Sequence, residues 1–160
     1  MLQGTPLAHA EMNVLAAVRT GRDLARCTLW TTVEPCSMCC AAAAFIGVRE
    51  VRLLAPDPWA IAAGLSGQHD PTGELTLERP AGDVWQIVAD VLFLISVAIP
   101  GGEDHPTVVA NAREEPEATH LALESRSIDQ GLDLREQLDA MWPGLLHATE
   151  ARVQRLSGRR

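Results

Sequence analysis

The first sixty residues alternate between two hydrophobic periods. Residues 6–20 form an Ala-rich run that offers Leu7, Met12, Leu15 and Val18 for burial. Thr5-Pro6 before it has the chemistry of an N-cap followed by a first helical proline, and Gly21 after it is a stop. Cys27 to Val33 is rich in strand formers, and Glu34-Pro35 breaks it. Cys36 to Ile46 is apolar on nearly every side, which predicts a buried helix ended by Gly47. Val48 to Leu54 predicts a second strand, closed by Pro56-Asp57-Pro58. Helix–strand–helix–strand implies crossover connections, a parallel pair of strands and an α/β fold class.

The pattern weakens after Ala60. Residues 64–82 are turn-rich, with one short strand expected at Glu74 to Leu77. Asp83 can cap an apolar helix from Val84 to Ile99, which Pro100-Gly101-Gly102 ends. Gln86 and Asp90 interrupt that run, and a membrane span needs about 20 residues with few charges, so it reads as a buried helix. Glu114 to Ser127, Leu132 to Trp142 and Leu145 to Leu156 read as further helices, while Val108 to Ala110 is too short to assign.

The chain has 160 residues, the length of one ordinary domain. Its 13 basic and 21 acidic side chains give a formal net charge of −8. A general nucleic-acid or anionic-membrane surface needs the opposite sign. Residues 61–120 are the most acidic, with 2 basic against 10 acidic side chains. Residues 1–7 hold no basic segment and no apolar run, so no secretory signal is expected there. Cys27, Cys36, Cys39 and Cys40 crowd into 14 residues. That suits a metal or reactive site in a reducing cytosol better than a disulfide framework.

His9-Ala10-Glu11 opens the first predicted helix, and Pro35-Cys36-Ser37-Met38-Cys39 opens the second. Alone, the first reads as a surface helix pair. Alone, the second reads as a redox pair, half a zinc site or plain core cysteines. Together they start two helices that flank one strand, and a parallel sheet brings such helix starts side by side. Helix N-termini carry unpaired N–H groups and a positive partial charge, which favours thiolates. One His and two Cys leave the fourth tetrahedral position of zinc open, the mark of a catalytic site. Glu11, two residues from His9, can act as the base. A purely structural zinc would want a fourth protein ligand, but Cys40 directly follows Cys39 and points about 100° away on an ideal helix.

At these residues, Ala8 to Asn13 and Leu29 to Cys39, the sequence resembles the zinc-dependent cytidine/deoxycytidylate deaminase superfamily. The similarity is to the branch of tRNA adenosine, guanine and nucleoside deaminases, and it extends over residues 6–60. The resemblance implies a cytidine-deaminase-like three-layer α/β/α fold with a partly parallel sheet. It implies hydrolytic deamination of a nucleobase or nucleoside with release of ammonia. His9, Cys36 and Cys39 would hold Zn²⁺, and Glu11 would carry protons from water to the ring nitrogen. The backbone at Pro35 would help hold the water and amino group, and Asp57 would either touch substrate or brace a rigid turn. Family members carry about fifty residues, a helix and two strands, before the His motif, where this sequence has eight. The strand Cys27 to Val33 is therefore expected to be an open edge. Residues 1–100 would form the deaminase domain, and residues 101–160 a mostly helical extension packed on it. A homodimer follows by analogy.

Two alternative functions accompany this reading: a tRNA adenosine deaminase, which the acidic 61–120 segment disfavours, and a catalytically impaired zinc-binding protein of the same fold. Glu34 reads as a brace for the turn, and Cys27, Cys40 and Trp59 as core residues. His69, His105, His120 and His147 read as solvent-exposed.

Overall fold

A computed structural model describes residues 4–5, 7–69, 76–78, 83–126 and 131–158. The chain divides into two units, Met1–Pro80 and Ala81–Arg160.

The first unit is α/β. Its described elements are α1 (Ala10–Ala16), β1 (Thr28–Val33), α2 (Ser37–Phe45), β2 (Glu50–Ala55), α3 (Pro58–Ala62), a 3-10 turn (Gly67–His69) and β3 (Thr76–Glu78). The sheet runs β1-β2-β3 and is parallel throughout. Thr28 pairs with Glu50 and Val33 with Ala55, so β1 and β2 end together. Among the described residues β1 is an edge strand, with Trp30 56% exposed. The expected short third strand is present at Thr76–Glu78; residues 74 and 75 lie outside the described residues.

The pleat of β2 buries Val51, Leu53 and Ala55. Val51 packs with Leu15 of α1, Leu29 of β1, and Cys40 and Ala43 of α2 in one core. Each such aliphatic side chain contributes about 1.5–3 kcal/mol when fully buried. The four alanines Ala41 to Ala44 give α2 high helix propensity and small bulk, so it can lie close to the strands. Gly47, at φ 95°, takes the left-handed turn that ends this helix. The predicted helix at 6–20 is realised as the shorter Ala10–Ala16.

The second unit is helical: α4 (Asp83–Gly101), α5 (Pro106–Glu114), α6 (Pro116–Ser125) and α7 (Leu134–Ser157). Ile87, Val91, Leu94 and Ala98 of α4 share a core with Val108, Ala118, Ala122, Met141 and Leu145. Residues 84–101 are long and apolar enough to cross a membrane by composition alone. The buried positions of α4 are those that meet the helices after it. For the same reason the division falls after Pro80, whereas the sequence pattern places α4 with the residues before it.

Three expectations about this unit are corrected. The helix expected at 114–127 is α6 and starts two residues later, at Pro116, because Pro116 drives Glu115 out of helical geometry, to φ −127° and ψ 62°, and Glu114 ends the preceding helix α5. Val108 to Ala110, too short to assign from the sequence, lies inside α5. The two helices expected at 132–142 and 145–156 are one, α7, with Pro143 inside it. Met141 and Leu145 are both buried on either side of that proline, and packing outweighs the lost backbone bond. Gly144 lies against α6, where an added Cβ would come within 2.8 Å of Leu121 Cδ1. Residues 127–130, at the end of one expected helix, lie outside the described residues.

Candidate metal centre

Cys36 is the N-cap of α2, and Cys39 stands three residues on, one turn above it. His9 is the N-cap of α1. The two helix starts meet at the end of the sheet where β1 and β2 finish. His9 Nδ1 lies 3.7 Å from Cys36 Sγ and 3.6 Å from Cys39 Sγ, and the sulfurs are 3.6 Å apart. Bonds of about 2.3 Å to sulfur and 2.05 Å to nitrogen in a tetrahedron put sulfurs about 3.8 Å apart and sulfur and nitrogen about 3.6 Å apart. The triangle therefore fits a tetrahedral zinc with one position left over, and the donor set is one that zinc takes. Cys39 is buried, Cys36 half-buried and His9 exposed, so the cluster is walled on one side and open on the other.

Burial, then Cys36 Sγ, then the Glu11 carboxylate push the Cys39 thiol well above its ordinary range. A cation among the three atoms reverses that balance, because ligation takes the thiolate.

Glu11 lies one step inside α1. Its Oε2 is 3.6 Å from Cys39 Sγ, and its Oε1 accepts a hydrogen bond of 2.7 Å from Thr31 Oγ1. Thr31 Oγ1 also lies 2.8 Å from Val33 O. The motif spacing did not point to Thr31. The available signal was parity: Leu29 packs toward Leu15 of α1, and Thr31, two residues along the strand, faces the same way.

The turn that presents Cys36 is held from a distance. Ser66 pairs with Cys36 in an isolated antiparallel bridge. Ser37 N donates to Leu65 O at 2.8 Å, and Gly67 N donates to Pro35 O at 3.0 Å. Glu34 is buried and braces this arrangement. Its Oε1 accepts from Ser66 Oγ, and its Oε2 accepts from Gln68 Nε2 at 3.1 Å. Ser66 Oγ in turn accepts from Gln68 N at 3.0 Å. Ser66 and Gly67 come from a stretch with no periodic pattern, and nothing local marked them.

The other expected residues fall as follows. The carbonyl of Pro35 is taken up by Gly67 N. Asp57 caps α3, its Oδ1 accepting from Trp59 N and Ala60 N at 3.1 Å each. Cys40 is buried as expected, but Cys27 is exposed, because β1 begins only at Thr28 and Cys27 belongs to the preceding turn. Trp59 is 37% exposed rather than core. His105 is half-buried as the cap of α5, its Nδ1 accepting from Thr107 N.

Residues 2–55 match the family described as the cytidine and deoxycytidylate deaminase zinc-binding region. The chain is 30% identical over 116 residues to a protein of Schizosaccharomyces pombe named "Probable cytosine deaminase". That match takes in 72% of this chain and 60% of the relative's length. No solved structure matches the chain.

Proposed function

We propose that this chain, whose residues 2–55 match the cytidine and deoxycytidylate deaminase zinc-binding region, is a zinc-dependent hydrolase that deaminates a nucleobase or nucleoside. The observation that carries this reading is the triangle of His9 Nδ1, Cys36 Sγ and Cys39 Sγ with a carboxylate, Glu11, turned toward it. The relative's printed name supports a free base such as cytosine as substrate.

His9, Cys36 and Cys39 would hold the ion. Bound zinc supplies Lewis acidity that makes water a nucleophile near neutral pH. Glu11 moves the protons. Its Oε1 is engaged by Thr31, so Oε2 is the oxygen turned to the reacting side. It takes a proton from water as the new C–O bond forms at the amidine carbon, then delivers it to the ring nitrogen. Glu11 then carries the proton of the added hydroxyl to the exocyclic amino group, the C–N bond breaks as that oxygen becomes the product carbonyl, and ammonia leaves. Because His9 is the exposed corner of the cluster, a base would approach from that side.

The test is ammonia release by the zinc-supplemented chain from cytosine, cytidine, guanine and adenosine, with metal content measured on the same samples. About one zinc per chain and turnover of one base supports the reading. A chain that holds zinc and turns over none of them counts against it.

A further inference from the structure

We propose that Thr31 is the positioning residue for the Glu11 carboxylate, fixing Oε1 so that Oε2 is the oxygen presented to the His9–Cys36–Cys39 cluster. The inference rests on the deaminase reading, in which Glu11 moves protons at that cluster.

The placement follows from two periodicities that meet. Glu11 and Leu15 are four residues apart on α1 and share a helix face. Leu29 and Thr31 are two apart on β1 and share a strand face. Leu15 and Leu29 pack in the same core, and one step further along, Thr31 Oγ1 donates to Glu11 Oε1 at 2.7 Å. The apolar contact thus sets the spacing at which the polar one forms.

The bond also breaks a symmetry. A glutamate side chain on a helix start has several rotamers, and its two oxygens are chemically equivalent. Thr31 distinguishes them, since Oε1 is held by the strand and Oε2 lies 3.6 Å from Cys39 Sγ. A hydroxyl has one proton to give. Its neighbours here are a carboxylate oxygen at 2.7 Å and the Val33 carbonyl at 2.8 Å. A hydrogen bond to an ionised acceptor is roughly twice as strong as one to a neutral acceptor, so the carboxylate is the preferred partner. Thr31 is β-branched, which leaves its χ1 few choices and makes it a stiff support.

The test uses the zinc-supplemented full chain with Thr31→Val, which keeps the branched shape and removes the hydroxyl, and Thr31→Ser, which keeps the hydroxyl. Thr31→Val should keep its zinc, leave KM within about 2-fold and lower kcat by about 10- to 100-fold, the cost of a small misplacement of a reacting group. Thr31→Ser should restore most of kcat. Independently of turnover, the drop in denaturant midpoint caused by Thr31→Val should shrink by at least half when Glu11 is already Ala. An equal drop in both backgrounds would mean that the hydroxyl serves Val33 alone and would overturn the proposal, as would a kcat loss that serine does not rescue. If the wild-type chain releases no ammonia, the deaminase reading fails, and the midpoint cycle still decides whether Thr31 holds Glu11.

Discussion

Gly67 and Cys40 touch so closely that a methyl group on Gly67 would overlap Cys40 Sγ. The same methyl would lie 2.7 Å from Pro35 O, the carbonyl that Gly67 N bonds. Glycine is required here for space, since the turn carrying Cys36 and the buried face of α2 close on this point. Gly67→Ala should displace that turn and weaken zinc binding by about 10–100-fold, the scale seen when groups that orient ligands are lost. Competition against a chromophoric chelator measures it. An unchanged affinity would show that the turn shifts without moving Cys36.

Glu34 and Ser66 make the second hold on this turn. Ser66→Ala leaves a buried carboxylate oxygen short of its donor, and Glu34→Ala strips both Ser66 and Gln68 of an acceptor. Each should cost about 1–3 kcal/mol, read from chemical denaturation. The double variant should cost less than the sum, because the two lose the same bond.

Removal of the ligands separates metal from chemistry. Cys36→Ser with Cys39→Ser should abolish stoichiometric zinc. Glu11→Ala should keep the zinc and lose turnover by about 10²–10⁴-fold. Because burial and its neighbours raise the Cys39 thiol, zinc must displace a proton there. Affinity should therefore fall as pH falls, with proton release on binding.

In the helical unit, Arg152 Nε and Nη2 bond the Glu115 carboxylate at 2.6 and 2.8 Å, and Gln86 Nε2 adds a third bond at 2.9 Å. All three side chains are buried. Glu115→Ala should cost about 3–5 kcal/mol by taking the carboxylate away from a buried guanidinium, while Glu115→Leu with Arg152→Met should cost far less. Thermal unfolding of the three variants checks the ordering.

Glu117 gives this unit a dependence on acid. Burial works against its charge, but the Arg155 guanidinium, bonded at 2.7 and 2.9 Å, holds its carboxyl below the ordinary value. A depressed folded-state value stabilises above the unfolded carboxylate's pKa of about 4.3, and that stability is lost as pH falls below it. The midpoint of wild type should therefore drop more steeply than that of Arg155→Met between about pH 5 and pH 3.

His9, Glu11, Cys36 and Cys39 were legible because each stands at or just inside a helix start, and the chain length between those starts is that of one helix and one strand. The β1–β2 pair was legible for the same reason. Ser66, Gly67 and Thr31 were not, since their partners come from 20 to 32 residues away and no local pattern records them. Pro143 misled because a proline signals a break only where packing does not override it. Cys27 misled because the strand starts one residue later than its composition suggests.

Of the four motif residues, His9 caps and Glu11 rides on α1, a helix of seven residues. A segment that short does not persist in water on its own, for nucleation costs more than two turns return. Its order is borrowed from Leu15 in the core and from whatever His9 binds. Metal occupancy and the helicity of α1 are then one coupled equilibrium, and amide protons around Val14 to Ala17 should exchange faster in chelator than in zinc. The centre would thus organise its own base, since the ion that His9 captures also stills the turn from which Glu11 reaches.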